Sequence, residues 1–196
     1  MKTAGTTANA LLGLLTFHPM SGYDIRQLIP ESIGHFWTES YGQIYPALNS
    51  LAAEGLVEKS TTRTKGRPEK NVYALTDAGR RQLEEWLAVP LARPVPRNEI
   101  LLKLFFGAHA ALSVSRLHVK AHRDGHQAAL DQYTSIVRKL KEEEITDPQL
   151  PFWLMTLSYG RHTCAAVIAW CDETLHELDR MELEKASAGQ SALGTR

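Results

Sequence analysis

The order of apolar and polar residues divides the chain into short capped helices, one strand pair and two long helices. Residues 8–17 (Ala-Asn-Ala-Leu-Leu-Gly-Leu-Leu-Thr-Phe) are helix-forming and apolar nearly all round, which predicts a buried first helix. His18-Pro19 stops it, because proline disfavours the α conformation in the residue before it. Ser21 is placed to cap a second helix, with Asp24 three positions on as the acidic partner of a capping box. Tyr23, Ile25, Leu28 and Ile29 supply its inner face, and Pro30 marks its end. A third helix, capped by Ser40 or Thr38, runs to about Glu54, with Ile44, Leu48 and Leu51 at helical spacing and Gly55 at the stop.

Residues 56–63 and 71–75 carry Val, Thr and Tyr on either side of a Gly/Pro turn, which predicts a β-hairpin. Thr76 then caps a fourth helix from Asp77 to about Leu87. Three helices, a hairpin and a closing helix spell a winged helix-turn-helix, with a two-stranded wing. Pro90, Pro94 and Pro96 separate this module from a second, helical half. There Ile100 to Phe106 is apolar on almost every side and should be sandwiched between layers. Two long helices follow, at roughly 113–145 and 149–184. In the later one Trp153, Leu157, Gly160, Cys164, Val167, Cys171, Thr174, Leu178 and Met181 alternate steps of four and three, a 3.5-residue period. Such a seam requires a helical partner, and a second subunit is the partner the sequence suggests. The dimerisation residues read from it are Trp153, Leu157, Cys164, Val167, Cys171 and Leu178. The division predicted is 1–90 for the winged helix, 91–185 for a coiled-coil-like dimerisation and effector domain, and 186–196 for a disordered tail.

The face of the third helix opposite Ile44 holds Gly42, Gln43, Pro46, Asn49 and Ser50, flanked by Tyr41 and Tyr45. No Lys, Arg, Asp or Glu stands between Ser40 and Leu51. A face turned only to water would be charged; this one is suited to close approach to another surface.

Composition alone points the other way. Across 196 residues, 22 Lys and Arg balance 22 Asp and Glu, and a neutral total argues against a nucleic-acid partner. The charges are uneven, however. Lys2 and Arg26 against Asp24, Glu31, Glu39, Glu54 and Glu58 leave residues 1–58 at −3. Lys59, Arg63, Lys65, Arg67, Lys70, Arg80 and Arg81 against Glu69 and Asp77 leave residues 59–81 at +5. The remainder sums to −2. The positive block is the hairpin, so a winged helix with a basic wing favours binding to DNA. A winged-helix protein-interaction module without DNA binding is the alternative. The 43% hydrophobic content suffices for a core, and no run of 18 apolar residues or signal-peptide pattern is present. Two cysteines are too few for a disulfide framework, and a reducing cytoplasm is the expected compartment.

The chain resembles the PadR family of bacterial transcriptional regulators, in its longer-chain branch. The resemblance rests on Leu11-Leu12-Gly13-Leu14-Leu15, Met20-Ser21-Gly22-Tyr23-Asp24 and Tyr41-Gly42-Gln43-Ile44-Tyr45-Pro46-Ala47-Leu48. It continues through Glu54-Gly55-Leu56-Val57, Gly66-Arg67-Pro68-Glu69 and Tyr73-Ala74-Leu75-Thr76-Asp77-Ala78-Gly79, and more loosely from Arg97 to Gly107. It implies a homodimer that represses at a palindromic operator and is released by a small aromatic or apolar effector or another signal. Carried onto these positions, Ser40, Tyr41, Gln43, Tyr45 and Asn49 would read or grip the duplex, with Tyr23 beside them and Lys65 and Arg67 at the wing tip. Trp86, Phe105, Phe106, Phe152, Trp153 and Trp170 would line an effector cavity or simply fill the core.

Other chemistry is thinner. His118, His122 and His126 repeat every four residues, as metal ligands on one helix can, yet no carboxylate or cysteine clearly joins them, and no metal or cofactor is expected. Cys164 and Cys171 read as small buried residues, with redox sensing as the open alternative. No nucleophile elbow, phosphate loop or His-Glu-x-x-His motif occurs, so no enzyme is expected.

Overall fold

The computed structural model describes residues 5–34, 36–37, 41–62, 70–91, 97–143 and 145–193. They form two compact units, divided between Arg93 and Pro94. The first unit contains α1 (Thr6–Leu14), β1 (Met20–Ser21), α2 (Gly22–Glu31), α3 (Tyr41–Ala53), β2 (Val57–Thr62), β3 (Lys70–Leu75) and α4 (Asp77–Leu87).

The core of this unit follows from the apolar spacing. Leu11, Leu12, Leu14 and Leu15, Met20, Ile25 and Ile29, Ile44, Leu48 and Leu51, Val57 and Tyr73 form one buried cluster. The predicted second helix keeps its cap: the Ser21 hydroxyl accepts from the Asp24 amide at 3.2 Å, and the Ser21 amide donates to the Asp24 carboxylate at 3.0 Å. Tyr23 departs from expectation, being 56% exposed rather than on the inner face. The first helix ends earlier than predicted, because the Thr16 hydroxyl donates to the Gly13 carbonyl and tightens the last turn.

The hairpin pairs β2 with β3 antiparallel from Val57↔Leu75 to Thr62↔Lys70. A third strand, which the sequence did not suggest, adds Met20 and Ser21 to the far edge of β3 opposite Tyr73 and Val72. Two residues are too few to show a period-two pattern.

A junction between α3, β2 and α4 holds the unit together. Gly55 ends α3 at φ 72°, a left-handed conformation that favours glycine, and the Leu56 amide donates back to the Leu51 carbonyl at 2.9 Å. The Thr76 hydroxyl shares its one hydrogen between the Gly55 and Leu56 carbonyls (2.8 and 2.9 Å) and accepts from the Gly79 amide (3.1 Å), so it also caps α4. Gly79 lies so close beneath that a Cβ there would stand 2.0 Å from the Leu56 carbonyl oxygen.

A second tie joins β3 to α2. The Lys70 ammonium is 2.8 Å from the Asp24 carboxylate, and this bond, opposed by burial and reinforced by the Ser21 donors, holds the Asp24 carboxyl below its ordinary value of 3.8.

The second unit comprises α5 (Glu99–Phe105), a 3₁₀ turn (Gly107–His109), α6 (Leu112–Glu142) and α7 (Leu150–Leu193). Asn98 caps α5 by accepting from the Ile100 and Leu101 amides. Helices α6 and α7 lie antiparallel, as their cross-links show: Arg116 pairs with Asp179 and Glu182, Arg123 with Asp172, and the Tyr133 ring packs over Gly160. One core cluster gathers Val119, Cys171 and Leu178 with Ile100, Leu104, Val167 and Trp170; another gathers Tyr133, Leu157 and Cys164 with Leu130, Ile136 and Val137.

The residues read from the sequence as dimerisation contacts have an intramolecular partner. Leu157, Cys164, Cys171 and Leu178 are buried against α6 of the same chain, Val167 joins them and Trp153 is half-buried. The 3.5-residue period demands a helical partner without naming it, and a short connection makes the preceding helix the nearest candidate. Two other expectations change. Only Ile100 and Leu104 of α5 meet the core, while Leu101, Leu102, Phe105 and Phe106 are exposed rather than sandwiched. Helix α7 also continues through residues 186–193, assigned by sequence to a tail, since extending a long helix needs no new nucleus.

Two consequences can be measured. Gly79→Ala should cost about 3 kcal/mol, because the methyl group meets backbone rather than a yielding side chain. It should lower the urea midpoint without changing the slope; an unaltered midpoint would show that α4 can move off Leu56. For Asp24, a depressed folded pKa adds stability above its unfolded value that vanishes as pH falls through the folded one. In Lys70→Met its NMR titration midpoint should rise, because the largest cause of the depression is removed while the opposing effect of burial remains. An unmoved midpoint would mean the ion pair does not form in solution.

Candidate nucleic-acid interface

Burial of Ile44, Leu48 and Leu51 rolls α3 so that Gly42, Gln43, Tyr45, Pro46, Asn49 and Ser50 are all exposed. A Cβ at Gly42 would meet nothing within 4 Å, so no intramolecular neighbour requires glycine there. The small residue leaves backbone accessible from outside. Ser50 is occupied, its hydroxyl donating to Glu54 at 2.9 Å.

The two helices of the helix-turn-helix meet through one contact that the sequence did not single out. The Tyr45 ring lies against Gly22 at the start of α2, where a Cβ would be 2.5 Å from the ring edge. Tyr45 is thus fixed along one side and 49% exposed on the other, with Tyr23 exposed nearby in sequence on the same α2 start. An amphipathic ring anchored this way presents its polar tip outward at little entropic cost.

A second missed residue is Tyr73 of β3. It is 2% exposed, burial and then Tyr45 push its hydroxyl up, and it donates to Asn49 Oδ1 at 3.4 Å. With that oxygen already engaged, the Asn49 amide nitrogen is the group left to donate outward. The Lys59 ammonium lies over the ring of the same Tyr73, 6.0 Å from its centroid. No local sequence signal pairs position 49 with position 73; only strand register does.

Of the remaining expected residues, Gln43 is exposed on α3. Tyr41 is the first residue of α3, and its side chain, like Ser40, Lys65 and Arg67 altogether, lies outside the described residues. Lys70 belongs to the positive block by count but is already bound to Asp24. The cations left to act on a partner are therefore fewer than the sequence sum implies.

The other candidate chemistry also acquires geometry. The His122 and His126 rings meet edge to face at 4.6 Å, and burial, then His122, lowers the His126 pKa. Among the described residues no three His, Cys, Asp or Glu side chains converge as a metal-binding set. Cys164 and Cys171 are buried free thiols, and burial pushes both pKa values up, which suppresses the nucleophilic thiolate. The aromatic residues offered for an effector cavity do not form one set: Trp86 belongs to α4 of the first unit, while in the second Phe105 and Phe106 meet edge to face, Phe152 is exposed and Trp170 packs against a core cluster.

Known proteins share this arrangement. The Transcriptional regulator PadR-like family matches residues 11–85, and the Virulence activator alpha C-term family matches residues 96–179. The negative transcriptional regulator PadR of Bacillus subtilis is 40% identical over 178 residues, covering 87% of this chain and 96% of its own. The crystal structure of that protein in complex with operator DNA superposes with a TM-score of 0.76, covering 87% of this chain and 98% of its own. Identity over the superposed positions is 27%. The Vibrio cholerae virulence activator AphA superposes with a TM-score of 0.71 at 30% identity, covering 90% of this chain and 99% of its own. With similarity running through both halves and nearly the whole length of a named regulator, this chain belongs to the PadR-like family of transcriptional regulators.

Proposed function

We propose that the protein is a dimeric repressor that binds a palindromic DNA operator through its first unit and releases it when a small molecule or another signal acts on the second. The observation that carries this reading is the exposed, uncharged face of α3 above a fully buried apolar one. Gln43 and Asn49 supply hydrogen-bonding groups for base edges, Gly42 allows close approach, and Tyr23, Ser40, Tyr41 and Tyr45 reach phosphates. Residues 63–69 join the paired ends Thr62 and Lys70 of the wing, and their Lys65 and Arg67 suit a narrow minor groove. The B. subtilis relative is described as a negative regulator and has been crystallised both with operator DNA and with p-coumaric acid, which supports repression and ligand release.

Dimerisation belongs to the second unit, on a different surface from the intramolecular seam. Phe152, Met155 and Tyr159 recur at helical spacing on α7, opposite the α6-facing residues, and are 62%, 64% and 73% exposed. Three large apolar residues on one helix face form a patch that a second copy would cover. A two-fold axis would set two α3 helices about 34 Å apart along the duplex. No helix among the described residues is long and apolar enough to cross a membrane, in keeping with action on DNA in the cytoplasm.

Affinity for the operator should fall steeply with salt, since each phosphate contact releases counterions. Gly42→Ala should raise helix stability by up to about 1 kcal/mol while weakening DNA binding, because the new methyl group meets only the duplex. Arg67→Ala should weaken binding and flatten the salt slope, and Gln43→Ala should relax one base preference by about 1–3 kcal/mol. Anisotropy titrations with the operator check all three; parent-like affinity in Gly42→Ala would remove α3 from the interface. For assembly, Tyr159→Glu should sediment as a helical monomer, and an unchanged sedimentation coefficient would move the dimer contact elsewhere.

A further inference from the structure

The second unit contains a pocket of about 160 Å³, open to solvent on one side and bordered by α5, the 3₁₀ turn and the start of α6. Ile100 and Leu104 of α5 and Val114 of α6 provide aliphatic walls. Lys103, Ser115 and His118 bring the polar groups, one from α5 and two from α6. Ser115 is 8% exposed, whereas Lys103 stands at the solvent edge with its ammonium 2.9 Å from Glu99. An ammonium has three donors, so one goes to Glu99 and two remain.

Volume and lining together restrict what fits. A dry apolar cavity of about 150 Å³ holds one benzene-sized molecule, so the whole ligand has about six carbons. None of the lining residues is aromatic other than His118, so a flat ring gains no stacking partner from the walls. A cation at the solvent edge, with a buried hydroxyl and an imidazole in the lining, favours one anionic oxygen group, and Glu99 beside Lys103 disfavours a second. An apolar body this short also keeps the anionic end within reach of Lys103 once the body fills the aliphatic part.

We propose that this pocket binds a compact aliphatic monocarboxylate of about six carbons, its chain against Ile100, Leu104 and Val114 and its carboxylate on Lys103, Ser115 and His118. Such a ligand fixes α5 on α6 through both ends of one molecule. The proposal rests on the reading above, in which a small molecule controls the second unit, for its regulatory meaning; binding itself does not depend on DNA.

The test is calorimetric titration of the full chain, without DNA, using 4-methylpentanoate. Saturable binding of one molecule per chain is expected, with 4-methylpentanamide weaker by about tenfold because the charge-assisted bonds are lost. Lys103→Met, at an exposed position, should reproduce that tenfold loss for the acid and leave the amide unchanged. Val114→Trp should fill the pocket and abolish both. Absence of saturation at millimolar acid, equal affinity for the amide, or indifference to Lys103→Met overturns the site. Tighter binding of benzoate than of 4-methylpentanoate overturns the aliphatic assignment. A separate gel shift with operator DNA judges the regulator reading: failure to bind DNA would defeat that reading while leaving the titration result standing.

Discussion

The interface depends on the burial of one face of α3. Ile44, Leu48 and Leu51 are almost wholly removed from water, and each such side chain contributes about 1.5–3 kcal/mol. Rolling the helix by a single residue, roughly 100°, would expose part of that set and carry Gln43 and Asn49 off the outer face. No hydrogen bond on the outer side approaches this in magnitude, so the apolar face decides which polar groups are presented. The contacts around it refine the position: Gly22 lets Tyr45 close on α2, and Tyr73 takes one oxygen of Asn49.

Electrostatics adds a local bias rather than a global one. The chain is neutral as a whole, so long-range attraction to a polyanion is weak. The positive excess is concentrated in residues 59–81, and the pairing of Lys70 with Asp24 spends part of it on holding β3 to α2. What remains acts within a Debye length, about 8–10 Å in ordinary salt, and serves a duplex already in contact.

Features set by neighbours in sequence were legible before the structure. The Ser21–Asp24 box, the Thr76 cap and the inner face of α3 all follow from spacing within one or two turns. Features set by the identity of a distant partner were not. The seam through Leu157, Cys164 and Cys171 announced a helical neighbour, and only the fold shows that it is α6. The strand at Met20 and Ser21 depends on the edge of β3, and the Asn49–Tyr73 bond depends on hairpin register. The exposure of Tyr23 and of Phe105 likewise reflects what packs elsewhere rather than their own apolar character.

The Thr76 junction has a mechanical consequence. One hydroxyl grips the carbonyls that end α3, while the same residue starts α4, and Gly79 leaves no slack above Leu56. The two helices therefore behave as arms of a single bracket with no free pivot between them. Torque applied to α4, the last helix before the chain leaves for the second unit, is delivered to the end of α3 without first being absorbed by a loop.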